Sequence, residues 1–182
     1  MDPWLLDHLV CPRDHLGLAL HADRLVCPRG HRYPVVDGIP VLLVAEAEQT
    51  LWVAAASLAR AESHTTAPAA SAADIPGIPF ADTLGIDADE REAMRDLPRL
   101  PVDPVVQMSV AKTCGRLYAP LLGRLADYPI PELRLPPGRG ERLLDVGCNW
   151  GRWSVAAARL GYDVVGIDPS LGAVMTAHRS FD

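Results

Sequence analysis

In the stretch from Arg142 to Ser170, R-L-L-D-V-G-C-N-W-G-R-W-S-V-A-A-A-R-L-G-Y-D-V-V-G-I-D-P-S, two carboxylates and two glycines are spaced to hold a nucleoside. Asp168 closes a β-branched run, Tyr162 to Ile167, and an acid at the carboxyl end of a strand is placed to accept hydrogen bonds from both hydroxyls of a ribose. Asp145 stands two residues before Gly147, inside the short apolar run Leu143 to Val146. What accompanies the ribose is set by the turn Gly147 to Gly151. A dinucleotide needs G-x-G-x-x-G, so that backbone amides can crowd a pyrophosphate, whereas Gly147 is followed by Cys148, Asn149 and Trp150. That bulk argues against a pyrophosphate.

A second set of reactive side chains lies near the N-terminus. C-P-R-D-H, Cys11 to His15, and C-P-R-G-H, Cys27 to His31, each put a thiol and an imidazole four residues apart around a proline turn. Soft sulfur and imidazole nitrogen are the donors zinc prefers, and two such knuckles bring Cys11, His15, Cys27 and His31 to one tetrahedral site, with Asp14 as a substitute ligand. The alternative is a metal-free module held by Leu5, Leu9, Leu18, Leu25, Val35, Ile39 and Leu42.

The elements that must position these groups follow from local pattern. Leu143 to Val146 predicts a buried parallel strand, Arg152 to Leu160 a helix stopped by Gly161, and Tyr162 to Ile167 a second strand, which together make one βαβ unit. Upstream, Leu16 to Val26 reads as a hairpin, Asp37-Gly38 as a turn and Ile39 to Val44 as a strand. A helix is expected over Glu46 to Arg60, then a linker over His64 to Ser71. Asp87 and Glu90 form a capping box for a helix to about Asp96, ended by Pro98 and Pro101. Asp103 followed by Pro104 opens a longer helical segment that Gly115 and Pro120 bend or split. Trp150 and Trp153 sit where one walls the crevice and the other packs in the core, with no signal to choose between them. The expected domains are 1–45, a β-rich ribbon-like module; 46–102, helices and linker; and 103–182, the start of an α/β sheet.

Taken together, D-V-G-C-N-W-G followed by V-V-G-I-D-P-S resembles the first two cofactor motifs of the class I S-adenosylmethionine-dependent methyltransferases. The resemblance implies a Rossmann-like sheet, with Asp145 ordering the amino-acid end of S-adenosylmethionine, the turn Gly147, Cys148, Asn149 and Gly151 packing against the cofactor, and Asp168 holding the ribose. In that family a helix before the first strand often covers the cofactor, which makes Arg116 and Tyr118 candidates by position. L-V-C-P, a second cysteine and Y-P-V-V-D-G-I-P-V-L-L are similar to the small zinc-ribbon proteins that activate methyltransferases acting on tRNA and translation factors. Where the fuller version of that family has its second and fourth cysteines, this chain has Asp14 and Gly30.

Composition limits the rest. The chain has 182 residues, 49% of them hydrophobic, enough for one domain or two small ones. The net charge of −6 comes with basic residues spread along the chain, which gives no support for non-specific nucleic-acid binding or a basic membrane patch. No apolar run approaches a membrane span and no secretory leader is seen, so a cytoplasmic location is expected. Four scattered cysteines do not make a disulfide scaffold.

The expected reaction is methyl transfer to an unknown acceptor, whether protein, RNA or small molecule. The alternatives are a non-catalytic regulatory or remnant partner protein and a nicotinamide-dependent oxidoreductase. A seven-stranded sheet is implied by the resemblance, yet only two of its strands can be placed. The chain is therefore expected to be inactive alone, and to be the front part of a longer product or to be completed by another chain through its open sheet edge.

Overall fold

The computed structural model describes residues 1–66, 81–95, 97 and 101–181. Most of the expected linker, and Asp96 and Pro98, where the helix begun at Asp87 is expected to end, lie outside the described residues. The chain divides into two compact units, Met1–Ala73 and Asp74–Asp182. The stretch 46–102 thus contributes elements to both.

In the first unit, helix α1 (Pro3–His8) begins at Asp2, whose carboxylate accepts the Trp4 amide at 2.8 Å with Pro3 in the first helical position. Strands β1 (Ala19–His21), β2 (Arg24–Val26), β3 (Arg32–Val36) and β4 (Ile39–Pro40) form an antiparallel sheet in that order. The Asp37-Gly38 turn between β3 and β4 has φ of 48° and 81°. Positive φ at both central residues matches the twist of a tight hairpin, which is why Asp-Gly serves there. The last strand is two residues long rather than reaching Val44. Pro40 has no amide hydrogen to give to a ladder. The following loop is closed by Gln49, whose side-chain amide donates to the carbonyls of Val44 and Ala47, and this delays helix α2 to Trp52–Thr66. That helix packs on β3, burying Ala54, Ser57 and Ala61, and Glu62 pairs with Arg24 of β2 at 3.0 Å.

The second unit is a mixed α/β structure. A 3₁₀ turn, Ala81–Leu84, precedes α3 (Ala88–Arg95) and α4 (Pro104–Arg116). The capping box forms in full: the Glu90 amide donates to Asp87 at 2.8 Å and the Asp87 amide to Glu90 at 3.1 Å. Asp103 caps α4 by accepting the Val105 amide at 2.8 Å, with Pro104 first in the helix. A short 3₁₀ turn, Ala119–Leu121, follows the helix end near Gly115.

Strand β5 (Arg142–Val146), helix α5 (Arg152–Arg159), strand β6 (Asp163–Ile167) and helix α6 (Leu171–Phe181) complete the unit. The two strands are parallel, with Asp145 opposite Gly166 and Val146 opposite Ile167. Trp150 is the largest fully buried side chain; it packs with Val102, Val106, Val110 and Leu125 and donates its indole N–H to Thr113 at 3.2 Å. Burial of each such large apolar group contributes about 1.5 to 3 kcal/mol. Trp153 is the outward one, 40% exposed, with the Arg152 guanidinium over its ring.

Candidate cofactor crevice and metal cluster

At the carboxyl ends of β5 and β6 the structure brings Asp145, the turn Gly147 to Gly151 and Asp168 together. Successive residues alternate between sheet faces, so Asp145 and its partner Gly166 point to one side, where α5 lies. Asp145 accepts the Ser154 hydroxyl at 2.7 Å, which fixes the carboxylate from the first turn of α5. Neither Ser154 nor Gly166 stands out in the sequence as a site residue. A glycine inside a β-branched strand was the available signal, because such a residue often marks a close approach. Here a Cβ on Gly166 would stand 3.0 Å from the Cys148 sulfur and 3.1 Å from its Cβ.

The amides of the turn are all engaged within the protein. Gly147 and Cys148 donate to the Ile167 carbonyl at 2.8 and 3.0 Å, Asn149 to Asp168 at 3.0 Å, Trp150 to the Asn149 side chain at 2.7 Å, and Gly151 to the Cys148 carbonyl at 2.9 Å. Asn149 has φ of 50°, a left-handed conformation that asparagine tolerates, and it stands between Gly147 and Gly151 at 78° and 87°. A Cβ on Gly147 would meet no atom within 4 Å, so the space above the turn is open. Asp168 uses its second oxygen to accept the Ser170 amide at 2.8 Å. Cys148 is buried beneath the turn. Burial, and then the negative charges of Asp168 and Asp145, push its thiol up to about 12, so it is uncharged at neutral pH.

Of the two residues marked by position, Arg116 lies 3.6 Å from Glu90, and Tyr118 packs against the Trp150 cluster.

In the first unit, Cys11, Asp14, Cys27 and His31 each offer a donor atom within 4.8 Å of the others. The expected set had His15 in place of Asp14. The two knuckles differ by one residue in where the backbone turns left-handed. In the first, His15 itself takes φ of 60° as its amide closes onto the Cys11 carbonyl, and its side chain is exposed. In the second, Gly30 takes the left-handed position at 85°, and His31 returns inward with its carbonyl accepting the Cys27 amide. Glycine makes that turn at no steric cost. His31 Nδ1 lies 3.2 Å from Asp14, 3.4 Å from Cys11 and 3.3 Å from Cys27.

Burial opposes ionisation of Asp14, yet the Leu16 amide, the two thiols and His31 together hold its carboxyl below the ordinary value. Beside the cluster, the Tyr33 hydroxyl is 3.2 Å from the Cys11 sulfur, and burial and that neighbour push the phenol up to about 12. Two thiols, a carboxylate and an imidazole are a four-donor set suited to zinc.

No family model matches the chain. Over 48 residues it is 44% identical to the ubiquinone biosynthesis O-methyltransferase of Azorhizobium caulinodans, a match covering 26% of this chain and 19% of that protein. Over 80 residues it is 39% identical to the mitochondrial ubiquinone biosynthesis O-methyltransferase of Homo sapiens, covering 36% of this chain and 21% of that protein. The chain therefore spans about a fifth of the length of these curated relatives. Part of it is similar in sequence to methyltransferases. Among the described residues, no helix is long and apolar enough to cross a membrane.

Proposed function

We propose that the second unit is the cofactor-binding front part of an S-adenosylmethionine-dependent methyltransferase with a Rossmann-like sheet, and that the first is a zinc ribbon. The observation that carries the reading is the pairing of two strand-end carboxylates with a turn whose amides are already spent. Asp168 keeps lone pairs on both oxygens after accepting the Asn149 and Ser170 amides, and these suit two ribose hydroxyls. Asp145, fixed by Ser154, suits the cationic amino-acid end. Bound there, S-adenosylmethionine would supply a methyl group activated by its sulfonium, and the contribution of the chain is orientation.

A nicotinamide dinucleotide would need free amides over its pyrophosphate, and Gly147 to Gly151 have none to give. The O-methyltransferase likeness favours a hydroxyl acceptor, on a small molecule, a protein or an RNA.

The same reading makes the chain incomplete as a catalyst. Leu144, Val146 and Ile167 are 60%, 72% and 47% exposed on one face of a two-stranded sheet. That open face and the sheet's free edges are where further strands and helices, from a longer product or another chain, would pack.

Calorimetric titration separates the readings. Binding of S-adenosylhomocysteine with none of NADH supports this one. The reverse favours an oxidoreductase, and no binding of either leaves a non-catalytic partner protein. In a methyltransferase assay with labelled S-adenosylmethionine and cell extract as acceptor pool, the purified chain should show no turnover. Robust turnover would overturn the claim that it is incomplete.

A further inference from the structure

Thr83 is separated from Asp168 by most of the second unit's sequence, yet it is completely buried against the loop that carries that acid. Asp168, Pro169 and Ser170 link β6 to α6. Ser170 opens the helix: its hydroxyl accepts the Ala173 amide at 3.2 Å and donates to the Thr83 carbonyl at 2.6 Å. The Thr83 hydroxyl in turn accepts the Gly172 amide. Two of the amides that a helix N-terminus leaves without intrahelical partners are thus satisfied, one by Ser170 and one by a residue from a distant 3₁₀ turn.

The chain of bonds continues into the crevice. The Ser170 amide holds one oxygen of Asp168, and the other oxygen receives the Asn149 amide of the glycine turn. Thr83 is itself anchored, because the segment after it packs Ile86 and Met94 against Val105 and Met108 of α4. Contacts therefore run from α4 to the Thr83 segment, and from Thr83, by its hydroxyl to Gly172 and its carbonyl to Ser170, to the loop that carries the carboxylate.

We propose that Thr83 is a positioning residue for Asp168, fixing the rotamer in which that carboxylate faces a ribose. This rests on the cofactor reading given above. Thr83→Val keeps the shape of the side chain and removes the oxygen that accepts from Gly172. Thr83→Ser keeps the oxygen. Should Thr83→Val disturb the whole unit, Thr83→Ala removes the same oxygen without added bulk and is read the same way.

The first readout needs no ligand: hydrogen exchange at the Asn149 and Ser170 amides, both bonded to Asp168, in the 182-residue chain. Loss of one hydrogen bond in this network should speed exchange there by about three- to tenfold, with the amides of α5 unchanged and Thr83→Ser close to the parent. The second readout is affinity for S-adenosylhomocysteine, expected to weaken by about the same factor in Thr83→Val and to be restored in Thr83→Ser. If exchange quickens at Gly172 alone and affinity is kept, Thr83 only caps a helix and the proposal fails. Asp168→Ala separates the two levels: unchanged affinity there ends the cofactor reading, whereas the exchange data judge the support itself.

Discussion

The Cys11, Asp14, Cys27 and His31 cluster and the strand-end crevice each gather polar side chains from segments far apart in sequence, but by different means. In the crevice the positions follow from the sheet. Once β5 and β6 pair in parallel register, Asp145 and Asp168 must emerge at the same end, and the turn has little freedom. In the first unit the donors sit on two loops, and the handedness of single residues decides which side chain faces in. His15 at φ of 60° turns out, Gly30 at 85° lets His31 turn in, and Asp14 takes the remaining place. A site built on strand ends tolerates loose knowledge of local conformation; a site built on knuckles does not.

The largest expected effect lies in the first unit. If the four donors hold zinc, purified protein should carry about one zinc per chain, and Cys27→Ala should lose both the metal and the fold of the first unit, because metal binding in such modules is folding energy. Asp14→Ala and His15→Ala sharpen the contrast between the knuckles. The first should weaken zinc binding by at least about tenfold, the cost that even loss of a partner behind the ligands carries, and the second should leave it unchanged. Metal analysis showing no zinc in the parent protein would leave a metal-free ribbon, and equal losses in the two variants would contradict the assignment of the inward face.

Gly166→Ala comes next. The added methyl would meet Cys148 beneath the turn, and overpacking of that kind costs about 1 to 3 kcal/mol. Urea denaturation of the second unit should show it, and Gly166→Ala combined with Cys148→Ala should recover part of the loss. If the single substitution is neutral, the crevice floor is less tightly packed than its geometry indicates.

A smaller effect concerns pH. The folded protein raises the Cys148 thiol from 9.0 to about 12, so the folded state holds this proton while the unfolded chain releases it. The contribution of the thiol is complete below about pH 9 and is lost as pH rises toward about 12. The stability difference between the parent and Cys148→Ala should therefore shrink above pH 9. A difference that stays level to pH 10.5 would show that burial and the two acids do not act on this thiol as described.

What was legible in the sequence was local or periodic. The Asp87 and Glu90 box, the Asp103-Pro104 start and the Asp37-Gly38 turn each depend on residues within one turn of each other, and each forms as read. The βαβ order was equally plain from apolar runs ended by glycine. The illegible parts depend on chain separated in sequence or on one dihedral angle. Thr83 reaches α6 across 89 positions, Ser154 reaches back over the turn to Asp145, and the choice between Asp14 and His15 turns on which residue goes left-handed. Trp150 and Trp153 could be separated only once α4 was known to pack behind the turn.

We propose that Asp168 holds the ribose of S-adenosylmethionine, and calorimetry of Asp168→Ala is the decisive test. Removal of charge-assisted hydrogen bonds to the ribose should weaken S-adenosylhomocysteine binding by roughly 1.5 to 3 kcal/mol, with the second unit still folded. An affinity unchanged from the parent, in protein whose amide spectrum shows the sheet intact, would contradict the account.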